Sequence, residues 1–161
     1  MAGPDNSSID PAEAERFDLL IRLLKLGSFI NTPMKAGVCD PAGISQIELK
    51  VIMALSGEGA LAGHELVALT GVAPMNVSRA IAALCERGLV EHAADPENRR
   101  RKPVRLTAAG HAAYARIAPL IGGLADSLLG GLTARQRRES AAAADRIIAA
   151  MAGWIADNDA Y

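Results

Sequence analysis

Four cations in a row, Arg99, Arg100, Arg101 and Lys102, stand behind the turn-forming segment Asp95-Pro96-Glu97-Asn98. Asp and Asn side chains bond nearby backbone in turns and Pro fixes φ for a reversal, so the cations are expected at an exposed tip. Strand patterns flank them: Leu89-Val90-Glu91-His92 before, and the alternating Val104-Arg105-Leu106 after. A solvated charge run is the common reason for adjacent cations. Here, however, the run tips a hairpin that directly follows a helix. That order suits a protein that lays one element in a DNA groove and a second beside it.

The helix before the hairpin is expected from Pro74 to Gly88, with Val77, Ile81, Leu84 and Cys85 inward. Its first turns carry Pro74, Met75, Asn76, Ser78 and Arg79, where the second helix of a helix-turn-helix presents side chains to base edges. Asn76 has the donor and acceptor for adenine, and Arg79 suits guanine or a phosphate. Alone, this segment reads equally well as an ordinary amphipathic surface helix. The cationic hairpin tips the balance towards DNA contact by Pro74, Met75, Asn76, Ser78, Arg79 and Arg99 to Lys102.

Other chemistries find less support. His64-Glu65 does not continue as H-E-x-x-H, because position 68 is Ala. Gly57-Glu58-Gly59 follows a helix rather than a strand and reads as a turn, not half a dinucleotide loop. No G-x-S-x-G occurs. His64, His92, His111 and Cys39 are scattered, so no metal site is expected. Cys85 sits at an inward helical position and Cys39 beside Asp40, neither a setting for a low-pKa thiolate. Five scattered aromatics do not make a stacking platform for single strands. Neither an enzyme nor a cofactor is expected.

The elements that must position this hairpin follow from composition and periodicity. A chain of 161 residues fits one domain with a sizeable core, and its Ala and Leu content favours helices. The net charge of −1 conceals a division. From Arg79 to Arg105 seven basic residues outnumber Glu86, Glu91, Asp95 and Glu97, and the acidic excess lies elsewhere. Two cysteines are no disulfide framework. Neither a signal-peptide pattern nor an apolar run of about eighteen residues occurs, so a cytoplasmic protein without a membrane partner is expected.

Residues 1–10 read as a flexible tail. Residues 11–43 read as an N-terminal dimerisation helix and a loop, the helix opening at Asp10-Pro11 and the loop from Thr32 holding two prolines and two glycines. Phe17 to Leu26 is apolar nearly all round, interrupted only by Asp18, Arg22 and Lys25, so it should be buried against another chain as well as its own. Residues 44–106 hold three short helices and the hairpin: a capping box at Ser45-Gln46-Ile47-Glu48, a helix from Gly63 to Thr70 ending at Gly71, and the Pro74 helix. Residues 107–161 form two C-terminal dimerisation helices. The first runs from Thr107 to about Leu129 with Ile117, Leu120, Ile121, Leu124 and Leu128 on one face, and Pro119 is expected to bend it. The second opens at Thr133-Ala-Arg-Gln with Ala144, Ile147, Ile148, Met151 and Ile155 inward. The fold class is mainly α with a small β-hairpin: a winged helix-turn-helix plus terminal dimerisation helices.

From Ile44 to Gly110 the sequence resembles the MarR (multiple antibiotic resistance regulator) family of winged-helix transcription factors. The family's wing pattern, roughly D-P-x-D-R-R followed by V-x-L-T-x-x-G, is met by Asp95, Pro96, Arg99, Arg100, Val104, Leu106, Thr107 and Gly110. Asn98 replaces the Asp conservatively, and Val77, Ser78, Arg79, Leu84 and Gly88-Leu89-Val90 match the preceding helix. The terminal helices match only in length and apolarity. The resemblance implies a ligand-responsive homodimeric repressor on a pseudo-palindromic operator in double-stranded DNA, with intertwined terminal helices and wings in adjacent minor grooves. Arg100 would be the minor-groove arginine. Ala73 stands where some members carry an Asp that braces it, so Arg100 either lacks that brace or uses Asp95 instead. The resemblance also implies a pocket between the first helix and the winged domain for phenols or aromatic carboxylates. Arg22 and Lys25 are then the anion partners, with Ser28, Asn31 and His64 as further candidates. The plainer reading of Arg22, a surface partner of Asp18 at i,i+4, stands ahead of the ligand role. The rival from another class is a dimeric winged-helix protein-interaction module without DNA binding.

Overall fold

The structure, a computed structural model, describes residues 10–94 and 102–158. Asp95 to Arg101, expected at the tip of the hairpin, and residues 1–9, expected as most of a flexible tail, lie outside the described residues.

Helix α1 spans Pro11–Phe29, with the Asp10 side chain accepting from the Ala12 N–H and Pro11 at the first helical position. The expected loop after it is instead helical: α2 (Asn31–Met34), a π turn (Lys35–Cys39) and α3 (Asp40–Ala42). Tertiary burial overrides the local punctuation there. Val38 and Cys39 are fully buried, and holding them in the core keeps the backbone helical through Gly37. Pro33 falls in the first turn of α2 and Pro41 in the first turn of α3, where a missing N–H costs least.

Helix α4 (Gln46–Glu58) begins at the expected capping box: Ser45 Oγ accepts from the Glu48 N–H at 3.1 Å, and Glu48 Oε2 accepts from the Ser45 N–H at 2.6 Å. It is the spine of the winged domain, burying Leu49, Val51, Ile52 and Leu55 against α5 (Gly63–Thr70), α6 (Pro74–Glu86), β2 (Val104–Leu106) and α7 (Ala108–Leu129). Leu66, Val77, Leu84 and Ile117 complete this core. α6 ends two residues before Gly88, whose φ of 67° allows the chain to leave the helix and enter β1 (Val90–His92). β1 and β2 pair antiparallel, with Val90 opposite Leu106, Glu91 opposite Arg105 and His92 opposite Val104. Leu61 adds a bridge that the sequence did not announce, exchanging both backbone hydrogen bonds with Val104 at 3.0 and 2.8 Å.

The L-T-x-x-G ending of the wing has a packing reason. Thr107 donates through Oγ1 to the Gly88 carbonyl at 2.6 Å and through N–H to that of Leu89 at 3.0 Å, drawing the start of α7 against the hairpin. Gly110 faces that approach. A Cβ there would overlap the Leu89 carbonyl oxygen and lie 3.2 Å from Leu106 Cβ. Gly110→Ala is therefore expected to destabilise the fold by about 2–4 kcal/mol, because backbone rather than a flexible side chain must move. A denaturant titration showing a parental midpoint would contradict this packing.

Helix α8 (Ala134–Asp157) carries its expected capping box, Thr133 with Gln136. Its expected inward face is not covered by the chain itself. Ile147 and Ile155 are half-buried, whereas Ala144, Ile148 and Met151 are exposed, as is Leu128 at the end of α7. Neither α1 nor α8 buries a single residue. Periodicity finds an apolar face but not what covers it, and this chain's own core is already complete without these two helices.

Candidate nucleic-acid interface

Helices α5 and α6 meet at a bend of 115°, within the range of helix-turn-helix units. Gly71, with φ of 63°, ends α5, and Pro74 starts α6 at its first position. Val77, Ala80 and Leu84 are buried, which fixes the rotation of α6 about its axis. The same rotation turns Pro74, Met75, Asn76, Ser78 and Arg79 outward, and all five are exposed. The first turn of α6 holds no acidic residue, so its positive end is not neutralised towards solvent.

The hairpin stands beside this face. Its core side is Val90, Val104 and Leu106, all buried, while Glu91 and Arg105 pair across the outer side at 2.8 Å. Lys102 is exposed at the wing root. Arg99, Arg100 and Arg101, expected at the tip, lie outside the described residues. Between α5, α6 and the hairpin opens a cavity of about 420 Å³ with Val77 and Val104 at its base and His64, Ser78, His92 and Lys102 among its lining.

The structure does not gather the small-molecule candidates into one group. Arg22 is exposed on α1 and holds Asp18 through Nε at 2.8 Å. Lys25 is exposed on the same helix. Ser28 Oγ donates back to the Leu24 carbonyl at 3.0 Å, and Asn31 Nδ2 donates to that of Gly27 at 2.9 Å. His64 faces the cavity beside α6 instead. A smaller cavity, about 190 Å³, lies between α3, the end of α6 and α7, with Arg87 and Arg116 on its wall beside Ile44 and Leu120. Arg87 also reaches the mostly buried Glu48 at 3.4 Å. Sequence reasoning missed both arginines. They are 29 positions apart in the chain, and no local pattern marks them as neighbours.

Burial raises the Cys39 thiol above its ordinary range, with Asp40 adding to the effect, and burial alone raises Cys85. Neither is primed as a thiolate. Among the described residues no three His, Cys, Asp or Glu side chains converge as a metal site, and no single helix is long and apolar enough to cross a membrane.

Residues 42–101 match a family model described as MarR family. None of the curated proteins compared matches the chain. Among solved structures the chain is similar to a MarR-family transcriptional regulator from Silicibacter pomeroyi. The two are 25% identical over 79% of this chain and 85% of that one, with a TM-score of 0.69. It is similar in fold to BpsR from Bordetella bronchiseptica, described for regulation of its DNA binding by 6-hydroxynicotinic acid (23% identity, 80% and 98% coverage, TM-score 0.68). It is also similar in fold to CouR from Rhodococcus jostii RHA1 bound to p-coumaroyl-CoA (18%, 81% and 92%, TM-score 0.74).

Proposed function

We propose, for a chain that belongs to the MarR family, that it is a homodimeric repressor released from a pseudo-palindromic operator by a small aromatic or phenolic effector, carboxylates included. Members of this family are transcriptional regulators, not enzymes. One observation carries the reading: an exposed helix-turn-helix face, Pro74 to Arg79, stands beside a hairpin whose root carries Lys102. The sequence from Arg79 to Arg105 carries the basic excess, and Arg79, Lys102 and Arg105 are exposed members of it among the described residues. Selection from a random duplex library should enrich a pseudo-palindrome with half-sites about one helical turn apart, as two-fold symmetry requires. Failure to enrich any sequence at low salt, with capture of a protein partner instead, would favour the interaction module without DNA binding.

The effector reading draws on the ligands of the similar structures, an aromatic acid for BpsR and an aromatic acyl-CoA for CouR. In this chain Arg22 and Lys25 remain candidates on α1, and Arg87 with Arg116 offers a second cationic wall. Arg22→Ala is expected to abolish the response to an aromatic acid while leaving operator affinity within about twofold, since an exposed pair such as Asp18–Arg22 contributes little to stability. A DNA-release titration with 6-hydroxynicotinic acid or 4-hydroxybenzoate checks it. An unchanged midpoint would leave Arg22 a surface partner of Asp18, and a midpoint moved instead by Arg116→Ala would place the acid in the smaller cavity.

A further inference from the structure

We infer that the small cavity between α3, the end of α6 and α7 takes a carboxylate with a compact hydrocarbon body, and that this acid draws Arg87 away from Glu48. The inference rests on the DNA-binding reading above. It adds a second anion seat, separate from the α1 candidates, and a route from that seat to α6.

The lining is chemically divided. Arg87 and Arg116 are the side chains there that can hydrogen-bond, and the rest of the wall, with Ile44, Leu89, Ile117 and Leu120, is apolar. No carboxylate is found among the described residues lining the cavity. Asp40, the residue before Pro41 of the lining, is held by Lys35 at 2.7 Å. Arg116 is exposed and makes no ion pair among the described residues. Two cations therefore face one small space without an anion of the chain between them, and a bound carboxylate accepts from both. A hydroxylated ring would bring a polar group that this wall leaves unpaired. The lining thus selects an acid whose body is hydrocarbon.

Arg87 links this seat to α6. It is the cap residue at the C-terminal end of that helix, its N–H donating to the Ala83 carbonyl at 3.2 Å. Its guanidinium also has an inner partner: Nη1 stands 3.4 Å from Glu48 Oε1. The Asp18–Arg22 and Glu91–Arg105 pairs close to 2.8 Å, so this one is loosely made. Glu48 is the more enclosed partner, its side chain 11% exposed against 42% for Arg87. Its other oxygen accepts from the Ser45 N–H at 2.6 Å, which fixes the carboxylate at the start of α4. The guanidinium is thus the partner able to turn, and a close bidentate pair with an acid in the cavity outcompetes a long one with Glu48. Once Arg87 turns, Glu48 keeps an enclosed charge without a cation, which is costly. Moving the end of α6 away from α4 admits water and relieves that cost. Since α6 carries Asn76 and Arg79, duplex affinity falls as the acid binds, and the duplex weakens the acid by the same factor.

The test uses hexanoate as the probe acid, hexanamide as its uncharged counterpart, and a fluorescent copy of the duplex enriched from the random library. Hexanoate affinity is measured by calorimetry and duplex affinity by anisotropy, on the full chain throughout. Hexanoate should bind the parent and weaken its duplex binding about fivefold or more, and hexanamide should do neither. Arg116→Ala should lose hexanoate and keep the duplex, whereas Arg22→Ala should keep both. Glu48→Gln retains an oxygen for the Ser45 N–H but has no charge to strand. It should bind hexanoate more tightly than the parent does and hold the duplex within about threefold, with hexanoate changing that affinity less than about twofold. Arg87→Gln strands Glu48 permanently, so it should bind the duplex about fivefold more weakly, and adding Glu48→Gln should restore the binding. Melting curves above the assay temperature show that each variant is folded. Hexanoate that fails to bind the parent, that binds Arg116→Ala equally well, or that still releases the duplex from Glu48→Gln overturns the coupling and leaves the regulator standing. No duplex bound by the parent overturns both.

Discussion

Removal of residues 1–30 is expected to leave an aggregated chain, its remaining apolar helix faces uncovered, and a glutamate at Leu24 or Trp154 to keep the full chain from dimerising. Six large side chains on the terminal helices, Phe17, Leu24, Leu26, Phe29, Ile148 and Trp154, are each about two-thirds exposed in the single chain. Covering what remains of them would contribute roughly 1–2 kcal/mol each, so about 12–24 kcal/mol for a symmetric pair, against an association cost of about 4–15 kcal/mol. Over most of these ranges the gain exceeds the cost, so a stable dimer is the expected outcome. One buried charge in place of an apolar contact removes several kcal/mol twice over, because two-fold symmetry places it on both sides. Sedimentation over a concentration series checks this: the full chain should run at twice its monomer mass, and Leu24→Glu and Trp154→Glu should run as monomer or aggregate. A well-folded monomer lacking residues 1–30 would overturn the assignment of α1 and α8 as dimerisation helices.

The second large effect separates the helix from the wing. Arg79→Ala should cost about 1–3 kcal/mol on the operator if its guanidinium reaches a base edge, and much less on a scrambled duplex. Arg100→Ala should weaken both duplexes alike and flatten the salt dependence, since a backbone or minor-groove contact releases counterions while reading little sequence. Arg79 is exposed two positions beyond the buried Val77, on the face that α6 turns outward. Operator and scrambled duplex titrated at several salt concentrations with both variants decide the matter. Parental binding of both duplexes by Arg100→Ala at every salt would remove the wing from the interface and bring down the central reading.

Much of the winged domain was legible in the sequence because its signals are local. Ser45 and Glu48 satisfy each other's backbone donors across one turn, Thr133 and Gln136 do the same, and Gly71 and Gly88 end helices with positive φ. Val90 to His92 and Val104 to Leu106 pair as alternation requires. Such rules need only neighbours a few positions away, so the chain's own order contains them. The segment from Thr32 to Gly43 escaped because its prolines and glycines are local signals too, and they point the wrong way. Only the space around Val38 and Cys39 makes a helical path the better one.

What the sequence by itself determined is the set of elements, their order and the apolar and cationic faces they carry. What only the tertiary structure decided is which faces meet. It placed Glu48 beside Arg87, set Leu61 against Val104, and left the apolar stripe of α8 without cover in the single chain. It also turned His64 away from the α1 candidates and towards His92 and Lys102, across a cavity formed by three elements. The reason is physical: periodicity fixes a side chain's direction relative to its own axis, whereas the partner it finds depends on how axes distant in sequence pack around a shared core.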